Sequence, residues 1–205
     1  IVLEQFDFGT FLNDPKVGYG SLNLDVNGKG FTEEKLDTKV TGDVFQLEYN
    51  GYNYSKIRVA GNIMNKIFDG NLSVNDKNLS LNFTGFVDFS EYIKKYDFEA
   101  IVDYANLNTL NFVKKDSLSI FRSNIKMNMN AGSLDDASGK IAFKNTVYRN
   151  ENDIYKFNTF DITSKFVEDM RYVSINSPDI IQGELKGKFF LKDLKKLFEN
   201  SLGYV

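Results

Sequence analysis

The chain has 205 residues, a net charge of −3 and neither cysteine nor histidine. Its length suits one β domain or a segment of a longer β array, and its content of 42% hydrophobic residues is enough to build a fold. The composition excludes a disulfide framework, a thiolate zinc site, a cysteine nucleophile and histidine chemistry, and the acidic balance argues against nucleic-acid binding.

Strand-forming residues dominate from the start of the chain. Aromatic residues make up 15%, with 19 Phe and 11 Tyr, whereas proline occurs only twice. Residues 17–31 predict a strand that reaches a hairpin turn at Asn27-Gly28. The stretch DVNGKG could be mistaken for a calcium loop, but Leu36 stands where that loop requires glutamate, so we interpret it as a turn.

Residues 37–90 predict further hairpins that share one apolar face. A second turn is predicted at Asn50-Gly51. Apolar and polar residues alternate on both sides of the sequence NDKN, and this period of two is typical of half-buried strands. The residues predicted to line the common face here are Ile57, Val59, Ile63, Phe68, Leu72, Val74, Leu79, Leu81 and Phe83.

The same period continues to the end of the chain, with two interruptions. Residues 105–113 break the period, and their leucines predict a helical turn or two across a sheet end. Leucine spacing over 191–202 predicts a short amphipathic helix that ends near Gly203. The strands at 96–104, 123–131, 138–148, 160–166, 171–177 and 179–191 extend the common face. Its further residues are Phe98, Val102, Tyr104, Ile125, Met127, Met129, Ile141, Phe143, Val147, Ile175, Leu185 and Phe189.

Glycine recurs at similar points of several predicted strands, as in GNI (61–63), GNL (70–72), GKI (139–141) and GEL (183–185). Glycine within a strand often marks a bend or a close approach of backbones, and a sheet that curls needs such points. The chain as a whole predicts eleven or twelve strands joined mostly by short turns, which favours an antiparallel all-β fold.

No catalytic constellation emerges from the sequence. Asp135-Asp136 is the one adjacent carboxylate pair considered, and neighbours on a strand point to opposite faces, so a turn is the better interpretation. The stretch VGYGS lacks the order of a nucleophile elbow. We therefore expect no enzyme, no cofactor and no metal site.

Several stretches in order resemble an internal segment of the TamB (translocation and assembly module) family, of the AsmA-like superfamily, in the form found in Bacteroidota. They are YSKIRVAGNIMNKIFDGNLSVNDKNLSLNFTGFVDFS, YDFEAIVDYANLNTLNF, GSLDDASGKIAFKNTVY and INSPDIIQGELKGKF, and the resemblance spans roughly residues 45–200. The family's C-terminal signature is not found in this chain.

The resemblance implies a long, mainly antiparallel, strongly curved sheet that forms a U-shaped (β-taco) apolar groove over residues 1–205. It implies a segment of an inner-membrane-anchored protein that crosses the periplasm and shields phospholipid acyl chains between the inner and outer membranes. It further implies a role in outer-membrane protein assembly with a barrel of the TamA type, through parts of the protein not present here.

The alternation itself leaves other interpretations open. An alternating strand is most often one side of an ordinary core, as in a β-sandwich or an adhesin-like module that binds protein and carries no lipid. Only the resemblance favours the groove over that core. As a segment of a longer sheet, the chain is expected to present unpaired edges at its first and last strands, through which it would self-associate unless the helix at 191–202 caps an edge.

Overall fold

The computed structural model describes residues 1–29 and 37–193, which form one antiparallel sheet of twelve strands. The strands are paired in chain order, and β1 and β12 are not paired with each other, so the sheet is open. The elements are β1 (Val2–Asp7), α1 (Phe8–Leu12), β2 (Val17–Lys29), β3 (Asp37–Tyr49), β4 (Tyr52–Met64), β5 (Ile67–Asp76), β6 (Leu79–Asp88), β7 (Lys94–Asn106), β8 (Ser119–Ala131), β9 (Ser138–Asn150), β10 (Ile154–Val167), β11 (Met170–Ser177), β12 (Ile181–Gly187) and a 3-10 turn (Leu191–Asp193).

The predicted fold class is confirmed at this level: the chain is all-β, antiparallel and has the expected number of strands. Helix α1 was not predicted, although Asp7 is an ordinary N-cap whose carboxylate accepts the Thr10 N–H at 2.9 Å. The helix predicted over 191–202 lies, beyond Asp193, outside the described residues. No helix among the described residues is long and apolar enough to cross a membrane.

The two turns predicted from Asn-Gly had opposite outcomes. Asn50 and Gly51 both have positive φ, 53° and 74°, and they join β3 to β4 in two residues as predicted. The turn predicted at Asn27-Gly28 was wrong, because both residues lie within β2, with Gly28 directly opposite Thr38 of β3. A Cβ on Gly28 would stand 2.4 Å from the Thr38 Cα, so this glycine permits close approach of two strands.

Bulges change which residues face the same side. In β7 the register shifts between Val102 and Ala105, so Ala105 and not Tyr104 continues the apolar side after Val102. Tyr104 stands opposite Ser80, on the other side of the sheet, which corrects its predicted placement. Such an extra residue shifts the phase of a strand by one position.

The buried core cluster lies at one end of strands β4–β7. Tyr54, Ile57, Val74, Val102, Ala105 and Leu110 form a cluster of buried apolar side chains, which we call the Leu110 cluster. Residues 105–113 were predicted to make a helical turn across a sheet end, and the Leu110 N–H does bond to the Asn106 carbonyl at 3.0 Å. Leu110, in the connection between β7 and β8, is only 1% exposed. A connection, and not a second sheet, therefore covers this end.

We expect Gly85→Ala to destabilise the fold, because Gly85 has φ +143° and a Cβ there would stand 2.4 Å from the Asp97 carbonyl oxygen. Backbone strain of this kind costs about 1–3 kcal/mol. Gly183→Ala is the matched control, since nothing lies within 4 Å of a Cβ at that position. Urea unfolding should show a lower midpoint for the first variant only, and equal midpoints for the two would contradict this role of Gly85.

Candidate functional site: the apolar face

One side of the sheet carries a continuous apolar face. Directly opposite residues of antiparallel strands point to the same side, so the pairing defines rows that cross the sheet. Three such rows are Ile63–Phe68–Val87–Tyr96–Met129, then Gly61–Gly70–Gly85–Phe98–Met127–Ile141–Ile162–Ile175, and Val59–Leu72–Phe83–Ala100–Ile125–Phe143–Phe160. A fourth row is Ile57–Val74–Leu81–Val102–Ser123.

Most of the predicted lining residues lie on this face. The pairing places together Ile57, Val59, Ile63, Phe68, Leu72, Val74, Leu79, Leu81, Phe83, Phe98, Val102, Ile125, Met127, Met129, Ile141, Phe143, Ile175 and Leu185. Neighbouring phenylalanines touch across strands, with ring centroids 6.2 Å apart for Phe68 and Phe83 and 5.0 Å apart for Phe83 and Phe98. The face is thus a packed surface and not a set of isolated apolar residues.

Val147 lies on the opposite side of the sheet from this face, contrary to the prediction. Asn145, with φ 51°, forms a bulge between Phe143 and Val147. After it, Val147 stands opposite Arg122 and Lys156. Thr146 takes the apolar side instead, where its hydroxyl bonds to that of Ser123 at 2.8 Å. Strict alternation cannot reveal a bulge, although an asparagine at positive φ is a common one.

Phe189 was predicted to extend the face but lies beyond the end of β12, which stops at Gly187. Other residues of the face were not predicted individually, notably Phe160 and Ile162 of β10. The signal for them was present, since the predicted strand 160–166 alternates as its neighbours do. Phe157 joins the same side three residues before Phe160, and such a spacing breaks the expected period.

Solvent exposure distinguishes two parts of the apolar face. Ile57, Val74 and Val102, in the Leu110 cluster, are 7%, 6% and 9% exposed. The remaining strand residues of the predicted set, such as Phe83 and Met127, are half-buried, and Leu185 is exposed. Extensive contacts join each strand only to its neighbours in the chain, and no second sheet of described residues covers the face. Away from the Leu110 cluster, the face is therefore accessible.

The opposite side of the sheet is polar and carries ion pairs between neighbouring strands. Arg58 and Asp43 are 3.0 Å apart, Lys126 and Glu99 2.8 Å, and Lys140 and Asp161 2.6 Å. The Lys126 hydrogen bond lowers the pKa of Glu99 below its usual value. A hollow of about 520 Å3 lies over Ala142 on this side, and the long charged chains around it define its walls. The two sides of the sheet thus differ sharply in polarity.

A polar network anchors the end of the sheet beside the Leu110 cluster. The Asp76 carboxylate accepts hydrogen bonds from Tyr52 Oη at 2.5 Å, Ser55 Oγ at 2.7 Å and the Asn78 N–H at 2.8 Å. Nearby, burial raises the pKa of Tyr54 to about 12. The network satisfies the buried Asp76 carboxylate and joins the start of β4 to the turn between β5 and β6.

A second buried polar group lies at the other end of the strands. Arg171 is 1% exposed and donates to the carbonyl oxygens of Leu134, Asp135 and Ala137 and to Ser164 Oγ, at 2.8–3.3 Å. Burial lowers the pKa of its guanidinium from the ordinary value. The side chain fastens the β8–β9 connection to β10 and β11, which is a structural task.

Asp135 and Asp136 lie in the turn between β8 and β9, as expected, and Asp136 accepts the N–H groups of Gly132 and Ser133. Among the described residues, no three acidic side chains lie close enough to hold a metal ion. What the arrangement offers is a broad apolar surface.

Comparison with known proteins adds no relative to these observations. No family model matches the chain, no curated protein matches it, and no solved structure matches its fold.

We expect the Asp76 network to make stability depend on acidic pH. Burial alone raises the pKa of Asp76, but the hydrogen bonds from Tyr52, Ser55 and Asn78 outweigh it and bring the pKa below its ordinary value of 3.8. A depressed folded-state pKa adds stability above the unfolded value, and this stability is lost as the pH falls through the folded-state pKa.

The matching variant is Asp76→Asn, which should lower the free energy of unfolding at neutral pH by about 1–3 kcal/mol and weaken its decline below about pH 4. Asp103→Asn, on the exposed polar side, is the control and should behave as the parent does. Urea titrations across the acidic range measure both effects. An unchanged acid dependence in Asp76→Asn would show that the network does not set it.

Proposed function

We propose that the chain is a segment of a lipid conduit, in which the apolar face shields phospholipid acyl chains from water. The observation that carries the proposal is the apolar face that crosses the sheet while most of its side chains stay accessible. An ordinary core of this size would be covered by a second layer. Acyl chains are the ligand whose chemistry matches an extended apolar surface without polar anchor points.

The sheet is curved into a U-shaped groove in this proposal, and its glycines support that shape. Gly42, Gly85 and Gly139 have φ between +128° and +155°, and a Cβ on each would stand 2.2–2.4 Å from a carbonyl oxygen of the neighbouring strand. Glycine kinks and bulges are the means by which sheets bend. Twelve strands about 4.8 Å apart would give the groove a length of roughly 50 Å.

The energetics favour a continuous surface over a specific pocket. An acyl chain of some fifteen carbons costs on the order of 12 kcal/mol to expose to water, at about 0.8 kcal/mol per CH2. Interchangeable apolar residues offset this cost at every point along the groove, and no single point binds the acyl chain much more tightly than its neighbours. Head groups would stay in water along the open seam, where the strands end.

The cellular setting follows from the resemblance to the TamB family and is part of the proposal. The chain would belong to an inner-membrane-anchored protein of the periplasm that carries phospholipid towards the outer membrane. It would act with an outer-membrane barrel of the TamA type through other parts of the protein. No residue of this chain is assigned to that contact.

The proposal predicts that lipid contacts only one side of the sheet. A photo-crosslinking residue at Phe83 or Met127 should capture phospholipid in living cells. The same probe at Asn82 or Lys126 should not, because strand alternation directs those side chains to the polar side. Extraction and mass spectrometry of the adducts measure the capture, and equal capture on both sides, or none on the apolar side, would contradict the proposal.

A charge on the accessible part of the face tests the same idea differently. Phe83→Asp should abolish phospholipid capture by a probe at Met127, because an ion in the acyl path is costly to desolvate. It should cost less stability than Val74→Asp, since Val74 is only 6% exposed whereas Phe83 retains access to water. Asn82→Asp, on the polar side, is the control for both readouts. If Phe83→Asp unfolds the chain as Val74→Asp does, the face is an ordinary dry core.

A further inference from the structure

The connection between β7 and β8, residues 107–118, lies partly on the apolar face, and we call it the Leu110 loop. It places Leu110 over Ile57, Val74 and Val102, at 1% exposure. These three are the buried members of the predicted lining, whereas the lining elsewhere is accessible. The loop therefore covers one margin of the surface that the proposed function assigns to acyl chains, at the ends of strands β4–β7.

The loop is built so that its tip can move while its base stays in place. Its neck is closed by the bond from the Leu107 N–H to the Ser119 carbonyl at 2.7 Å. Inside it, Asn108 Nδ2 donates to the carbonyls of Val113 at 3.2 Å and Asp116 at 2.7 Å. Because these bonds lie within the loop and at its neck, lifting its tip away from the face leaves them intact. Long loops that carry their own contacts are common as functional lids.

Two weak hydrogen bonds between Asn50 and Asn111 hold the tip of the loop, and we call them the latch. Asn50 Nδ2 donates to the Asn111 carbonyl at 3.1 Å, and Asn111 Nδ2 donates to the Asn50 carbonyl at 3.0 Å. Both asparagines are at the surface, where each hydrogen bond can be exchanged for one to water at little net cost. Apart from this latch, the tip is held by the packing of Leu110 and Leu107. Hydrogen bonds from Tyr148 Oη to Asp116 Oδ2, at 2.8 Å, and from the Leu118 N–H to the Glu151 carboxylate, at 3.3 Å, fasten the base of the loop and not its tip.

We propose that the Leu110 loop is a displaceable stopper at this margin of the lipid groove, where the Leu110 side chain and an acyl chain compete for the same apolar surface. The inference rests on the proposed function and adds regulation to it. When the loop contacts the face, Leu110 excludes water from the apolar residues beneath it. An acyl chain that reaches this margin replaces the buried leucine with its own methylene groups, so the apolar residues beneath remain covered in both states.

Single cysteines test the movement, because the chain has none of its own. The thiol of Leu110→Cys should react slowly with a maleimide, and vesicles of phosphatidylethanolamine and phosphatidylglycerol should raise the rate by roughly tenfold as the loop lifts. Phe112→Cys, in the same loop but 56% exposed, should react fast in both conditions. Ala105→Cys, 3% exposed on strand β7, should stay slow in both.

Two outcomes of this labelling would overturn the inference. A rate at Leu110→Cys that vesicles leave unchanged means that lipid does not displace the loop. A rise at Ala105→Cys equal to that at Leu110→Cys means that the end of the sheet unfolds and that no loop lifts. The result for Phe112→Cys excludes an effect of vesicles on the reagent itself.

A cross-link that holds the loop in place distinguishes a failure of this inference from a failure of the proposed function. Asn50→Cys and Asn111→Cys, joined by a short bifunctional maleimide, should lower phospholipid capture by a probe at Leu81, which packs against the Leu110 cluster, and leave capture at Met127 unchanged. The pair Asn71→Cys and Thr84→Cys, hydrogen-bonded neighbours on the polar side, is the cross-linked control. Equal capture at Leu81 with and without the lock overturns the stopper alone. Absence of capture at Met127 in the unlocked chain overturns the proposed function and the stopper with it.

Discussion

Because side chains alternate along a strand, an apolar face can cross many strands only if every neighbouring pair holds the same residues opposite each other. A slip of one residue between β5 and β6 would turn Leu72 and Phe83 to opposite sides. Two-residue turns such as Asn50-Gly51 fix the register of individual hairpins. A bulge shifts the register by one residue where the alternation of apolar and polar residues is interrupted, so that apolar residues beyond it return to the apolar face. The apolar face, the polar side with its ion pairs and the proposed groove all depend on this register.

Burial at the two ends of the strands compensates for a face that no second layer of described residues covers. A half-exposed apolar surface contributes less stability than a buried one, because the contribution scales with the area removed from water. The Leu110 cluster and the Asp76 network close one end, and Arg171 fastens the β8–β9 connection at the other. A sheet held at its ends can leave the middle of its apolar face to a ligand.

The sequence was sufficient to predict the fold class, the number of strands and most of the apolar face. In a strand, an alternation with a period of two assigns each residue to one side of the sheet. It failed where geometry interrupts the period. Val147 and Tyr104 were assigned to the wrong side because a bulge precedes each of them, and the turn expected at Asn27-Gly28 is a close approach of β2 and β3. Whether the face is covered depends on contacts between distant parts of the chain, which no local pattern encodes.

Native mass spectrometry of the purified chain, after incubation with phospholipids of several head groups, tests the central claim most directly. A groove that shields acyl chains without polar anchor points should bind lipids of different head groups with similar affinity, and Phe83→Asp should remove the bound species. A chain that carries no phospholipid under these conditions, or that binds one head group alone, would contradict the account.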